Sequence, residues 1–459
     1  MGVIRLLLAL SVFITHTKPF FGLPFVGGRI AVEAFFVISG FYMAFILNEK
    51  YTKPGSWRLF LQNRFLRLYP IYLFCVLFTL FVVIKIHTDP YLGWSSLLKL
   101  RFSTLLALIV PQITLIGQDI MLFFSVNSHT GFVTFQHLND PDVIAGSSFL
   151  FVPTAWSLGI EMLFYVFAPF LTRRSNIELL FWMALSLIVR FVLSGVFGLG
   201  SGPWVNCFFL SELVFFLSGI LAYRFFVVLR HRQVNLFFGK IFWAYLIAAT
   251  LALNFVPIVE WGRLLIYIVL LIGTMPFIFL ATRTTKLDRW IGELAYPFYL
   301  VHLLVLHING QLAWHLSSIN LAILSLFVSV LLVVLIEQPV NSWRQRRAGF
   351  TFTVFLPKIR LAAAAVLTIV ACIGIARAPH VPLNDYEKME TEIYFWAKNN
   401  EEPDTVVMHF NSLPLTPRQI LKLMIRSPDV PQNYRDIREP FVQQFGSFLE
   451  ENYYKNSKK

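Results

Sequence analysis

Arg5 and His16 stand eleven positions apart in the apolar segment that opens this chain. Eleven residues make about three helical turns, so both polar groups fall on one helix face, about 16 Å apart along the axis. Ionisable groups are costly in a membrane span and are usually kept there for a purpose. His16 can take a proton from a hydroxyl near neutral pH, or can itself act as a nucleophile in a two-step reaction. The competing reading is a polar residue at a helix end, flanked by Thr15, Thr17 and Lys18. For Arg5 the competing reading is a topology-setting anchor.

Arg64 and Arg67 lie three apart and share a helix face. Two guanidinium groups on one face suit phosphate recognition, although any basic membrane loop carries such residues. Glu33 and Glu161 are carboxyl groups within or beside apolar stretches, where each needs a cation or a proton. Glu33 can orient His16 or pair with Arg29, four residues before it, and Glu161 shares a face with Tyr165. Tyr296, Tyr299 and His302 repeat every three residues and can line a cavity or form an interior polar network. Glu337, beside Pro339, either joins the site or only closes a span. Cys75, Cys207 and Cys372 have no metal-ligand spacing, so they read as packing residues and no metal is expected.

These residues need a membrane scaffold to position them. Of 459 residues, 57% are hydrophobic and 14% charged, against about a quarter charged in soluble domains. The mean hydropathy is +0.67. The net charge of +13 is scattered between apolar runs, which argues for loop charges setting topology and against nucleic-acid binding. Apolar windows fall near 3–16, 30–47, 68–86, 156–171, 177–198, 205–229, 240–257, 262–281, 290–309, 317–337 and 361–378. The first reads as an uncleaved span, and Leu6 stands where a myristoylation signal needs Ser or Thr. A further stretch, 104–126, is broken by Pro111, Gln112, Gln118 and Asp119 and reads as an interfacial or re-entrant helix.

Leaving 104–126 out of the count and starting in the cytoplasm puts the basic loops inside. They carry Lys50, Lys53, Arg58, Arg64 and Arg67, then Arg173 and Arg174, then Arg230, Arg232 and Lys240, then Arg283, Lys286 and Arg289, and last Arg344, Arg346, Arg347, Lys358 and Arg360. The opposite loops 199–204, 258–261 and 310–316 carry no Lys or Arg. This topology places 87–155 and the charged tail 379–459 outside the cell membrane. The tail is short and reads as a small helical appendage or partly disordered segment. No internal repeat is evident, which weakens a transporter reading.

Six segments in order resemble the membrane-bound acyltransferase 3 family of cell-surface O-acyltransferases, over about residues 1–350. They are Arg5 to His16, Gly28 to Phe41, Arg64 to Pro70, Trp156 to Tyr165, Tyr296 to His302, and Glu337 to Pro339. Glu33 stands where the family often has Asp, and Ala295 where it commonly has Ser before this tyrosine. The resemblance implies an all-α polytopic membrane protein, with a ten-helix acyltransferase core (1–350) and one additional transmembrane helix (361–378) before the extracytoplasmic tail (379–459). It implies that His16, Glu33, Glu161 and Tyr296 act in catalysis and that Arg5, Arg64 and Arg67 bind the acyl donor, acetyl-CoA. The acceptor would be a sugar hydroxyl of a surface glycan, such as lipopolysaccharide O-antigen, or of a lipid-linked saccharide, at a bacterial inner membrane. An O-succinyltransferase of the same fold is the nearest alternative, and a transporter or flippase of a lipid-linked saccharide the more distant one.

Overall fold

The computed structural model describes residues 1–53, 55–86, 100–127, 131–135, 143–200, 203–232, 235–311, 314 and 316–347, and parts of 389–445. The chain divides into two compact units, Met1–Ala378 and Pro379–Lys459.

Helices dominate the first unit. The short apolar helix α1 (Gly2–Thr15) is followed by α2 (Gly28–Glu49) and α3 (Trp57–Ile86). After a second short helix, α4 (Phe102–Thr114), come α5 (Trp156–Leu171), α6 (Asn176–Phe191) and α7 (Phe209–Arg230). Then follow α8 (Leu236–Ala252), α9 (Glu260–Thr282), α10 (Lys286–Gln311) and α11 (Ser318–Leu332), with α12 (Gln338–Arg347) continuing from α11 through a π-helical turn. Among the described residues nine helical stretches are long and apolar enough to cross a membrane, and each contains or overlaps one of the expected windows between 30 and 337. The protein is an all-α polytopic membrane protein, with α1 as a tenth, shorter apolar helix. The window at 361–378, Cys372, and the polar residues His129, His137, Asn139, Asp140 and Asp142 lie outside the described residues.

Two departures from the sequence reading bear on function. First, α3 begins at Trp57, so Arg64 and Arg67 sit within a helix and not in a basic loop. Second, the stretch 104–126 is α-helical only to Thr114, with a single 3₁₀ turn at Ile120–Phe123 further on. At 13 residues α4 spans about 20 Å, too little for a bilayer core of about 30 Å. Leu115 (φ 64°) and Gly117 (φ 85°) then turn the chain through left-handed conformations. It continues into β1 (Phe124–Asn127), which pairs antiparallel with β2 (Val133–Phe135) on one side and β3 (Val143–Ala145) on the other. The polar breakers are buried and used: Gln112 Nε2 donates to Phe149 O (2.7 Å), and Tyr72 of α3 donates to Gln112 O (2.6 Å).

Close helix packing depends on glycine, as expected where lipid gives no hydrophobic drive between helices. Gly40 of α2 lies against the Phe216 carbonyl of α7, and Gly219 of α7 lies against the Val37 carbonyl of α2. A Cβ at either would fall 2.0 Å from that oxygen. Aromatic rings fill the wider gaps; Phe41, Phe226 and Phe279 join three helices with centroids 5.0–5.8 Å apart, a use for the 48 phenylalanines of this chain.

The second unit has its own small core of Ile393, Ala397, Ile420, Phe441, Val442 and Phe445. It carries a hairpin of β4 (Met408–Phe410) and β5 (Leu413–Leu415), followed by α13 (Pro417–Met424).

Candidate functional site

Asp288 sets the register of α1 on α10. Its carboxylate accepts the N–H groups of Gly2 (2.8 Å) and Val3 (3.0 Å), donors that have no partner within α1. Gly2 makes this possible, because a Cβ there would lie 1.5 Å from the Asp288 carbonyl oxygen. The two helices run parallel. Fourteen residues further along each, at the other end, His16 meets His302.

The two imidazole rings lie 5.7 Å apart, inclined by 33°. His16 follows the last residue of α1 and is exposed, its own N–H donating to Phe13 O (3.0 Å). His302 is fully buried, with Nδ1 3.2 Å from Phe298 O. A proton on Nδ1 makes that bond and leaves Nε2, which has no hydrogen-bond partner among the described residues, as an acceptor. Beside it the Tyr299 hydroxyl shares a hydrogen bond with Ser157 Oγ (2.8 Å), tying α10 to the start of α5. The three-residue spacing thus yields one polar corner at the His16 end of the bundle.

A second cluster surrounds Glu161 further toward the Met1 end. Its Oε1 accepts from Ser39 Oγ (2.6 Å) and from the Tyr165 hydroxyl (2.5 Å), its partner one turn on. Arg67 interacts electrostatically with Glu161, Glu337, Tyr42 and Tyr165, and Arg5 with Arg67, Glu161 and Glu337. Tyr296 donates to Leu68 O (2.5 Å), next to Arg67. Arg5, Arg67, Glu161 and Tyr296, distant in sequence, therefore form one group.

Arg64, a turn before Arg67, is 5% exposed; it interacts electrostatically with Arg67, Tyr165 and Glu161 of the same cluster and also borders a pocket. Its Nε and Nη1 have no hydrogen-bond partner among the described residues. Its guanidinium lies over the Phe60 ring at 5.8 Å and borders a small open pocket with Lys50, Tyr51, Asn63 and Arg344.

Glu33 belongs to neither cluster. It pairs with Arg190 of α6 and, at 3.6 Å, with Arg29, and among the described residues it makes no hydrogen bond to His16. Arg190 also reaches Glu212 of α7 (3.1 Å) and stacks 5.1 Å from the Phe215 ring. Glu33 thus has the cation that burial requires and joins α2, α6 and α7. Sequence reasoning passed over Arg190 and Glu212. Their signal was a charge set well inside an apolar run, Arg190 in the window 177–198 and Glu212 in the window 205–229.

Fold and site together define a polytopic helical membrane protein in which one helix, α1, touches two separate polar clusters. Residues 1–338 match the acyltransferase domain of the acyltransferase 3 family, and the chain belongs to that family. It is 27% identical over 198 residues to the acyltransferase MdmB of Streptomyces mycarofaciens, over 39% of this chain and 41% of that protein. The chain thus matches about two fifths of the length of that relative. No solved structure matches it.

Proposed function

We propose that the protein transfers an acyl group, most simply acetyl, from cytoplasmic acyl-CoA to a sugar hydroxyl of a surface or lipid-linked glycan across a bacterial inner membrane. The observation that carries this reading is α1 itself. It joins Arg5, grouped with Arg67 and Glu161, to His16, paired with His302. Two chemistries are needed, one at the donor and one at the acceptor, and one short helix links residues suited to each.

On this reading the Met1 end faces the cytoplasm, where Arg64, Arg67 and Arg5 attract the nucleotide end of the donor. The pantetheine arm, on the order of 15–20 Å, spans the separation set by helix rise. His16 takes the proton from the acceptor hydroxyl, which attacks the thioester carbonyl. A C–O bond forms, the C–S bond breaks, and the proton passes to the departing thiolate. Acylation of His16 first gives the same balance in two steps. Glu161, held by Ser39 and Tyr165, keeps Arg5 and Arg67 oriented, and Glu33 holds the helices behind them. Acetyl and succinyl donors share the same CoA end, so the inner cluster serves either.

Purified protein in proteoliposomes, given acetyl-CoA and an acceptor saccharide, is expected to release free CoA in a manner lost in His16→Ala. Flipping of a lipid-linked sugar with no CoA release would favour a transporter instead.

A further inference from the structure

We infer that Asp119 and Asn206, set about the Trp204 ring, form the acceptor subsite, and that it takes a neutral, polyhydroxylated sugar ring; this rests on the glycan-acceptor reading above. Asp119 lies in the segment after α4, four residues before Phe123. The Phe123 ring packs on Trp204 with centroids 4.5 Å apart. Trp204 is half-buried and sits in the short helical turn Pro203–Asn206 that leads into α7. Cys207, the next residue, interacts electrostatically with Asp119 and with Tyr299. The subsite therefore stands beside the His16–His302 corner, to which Tyr299 belongs.

The polar atoms here need donors. Asp119 Oδ1 and Asn206 Oδ1 are buried with no hydrogen-bond partner among the described residues. The same holds for Gln118 Oε1, beside Asp119, and for Thr154 Oγ1, whose backbone carbonyl accepts the Tyr299 hydroxyl (3.3 Å). Gln118 is fixed in this orientation, because its Nε2 donates to the Tyr72 hydroxyl and to Pro111 O (3.3 Å). Glycine at 159 leaves room for the carboxylate, since a Cβ there would lie 2.9 Å from Asp119 Oδ1. Buried polar atoms are normally paired, and a group of orphaned oxygens marks a place where a ligand brings the hydrogens. Sugar hydroxyls donate to such oxygens, and the negative face of an indole ring suits the C–H face of a sugar. An anionic ligand fits poorly. An acidic sugar or a phosphate would set its charge against Asp119, and the cations of this region, Arg29 and Arg190, are already paired with Glu33, Glu212 and Glu260.

The test follows saccharide-dependent CoA release from acetyl-CoA by the full chain in proteoliposomes. The acceptors are the methyl glycosides of glucose, galactose, mannose, rhamnose and glucuronic acid. A neutral glycoside is expected to be the best of the five. For that glycoside Asn206→Ala and Asp119→Asn should each raise KM about three- to tenfold, the effect of one hydrogen bond lost or stripped of its charge, without moving KM for acetyl-CoA. Asp119→Asn removes a buried charge and keeps the shape of the side chain, so it carries the test even where Asn206→Ala loses its fold. Preference for the glucuronide over every neutral glycoside would overturn the inference and leave a glycan as acceptor. So would an unchanged glycoside KM in Asp119→Asn, which would assign the orphaned oxygens to bound water. Absence of saccharide-dependent release with all five would overturn the glycan-acceptor reading as well.

Discussion

The rings of His16 and His302 lie 5.7 Å apart, one exposed at the end of α1 and the other buried in α10. Parallel packing of the two helices from Asp288 onward brings them together. His302 touches the proposed base and not the acceptor, so it is a positioning residue. His302→Ala is expected to lower kcat by about ten- to a hundredfold, as misplaced catalytic groups do, with KM for acetyl-CoA unchanged. Steady-state kinetics on reconstituted protein reads the split. An equal loss in both parameters, or none in either, would remove His302 from the account.

Arg190 is the cation shared by Glu33 and Glu212. Arg190→Ala would leave two buried carboxyl groups facing each other, a loss on the order of 3–5 kcal/mol. Thermal unfolding in detergent should show a sharply lower melting temperature or lost folded yield. Adding Glu33→Gln and Glu212→Gln to the same variant should recover part of the stability. A single Arg190→Ala variant as stable as wild type would contradict the network.

Asp119, in the segment after α4, is 4% exposed, and burial pushes its carboxyl up to about 6. In an unfolded chain the same group titrates near 3.9. The folded state therefore keeps a proton that the unfolded state has released, over roughly pH 4–6. Its favourable contribution is full below about pH 4 and is lost as pH rises through about 6. Asp119→Asn should then raise the melting temperature at pH 8, by the equivalent of about 2–3 kcal/mol, and change little at pH 4. The same gain at both pH values would show that ionisation is not its source.

Much of the scaffold is readable because membrane helices announce themselves by length and apolarity. The windows between 30 and 337 carry that signal without help from tertiary structure. The small sheet of β1, β2 and β3 does not, because its strands of three or four residues depend on pairing across turns. The start of α3 at Trp57 was hidden for another reason: its first turns are charged, and a hydropathy window opens only where the apolar face begins. Spacing within one helix placed Glu161 beside Tyr165 and grouped Tyr299 with His302. Spacing could not choose between partners on different helices. Glu33 pairs with its i−4 neighbour Arg29, which sequence allowed, but most closely with Arg190, 157 positions away. Likewise Arg344 reads as one more loop charge until folding sets it beside Arg64.

The central claim is that His16 carries acyl transfer to a glycan. Mass spectrometry of surface polysaccharide from cells with wild-type protein, with His16→Ala, and with none tests it most directly. The account predicts a mass increment of one acyl group on the saccharide with wild type only, while the His16→Ala protein is still found in the membrane. The same increment in His16→Ala cells would contradict it.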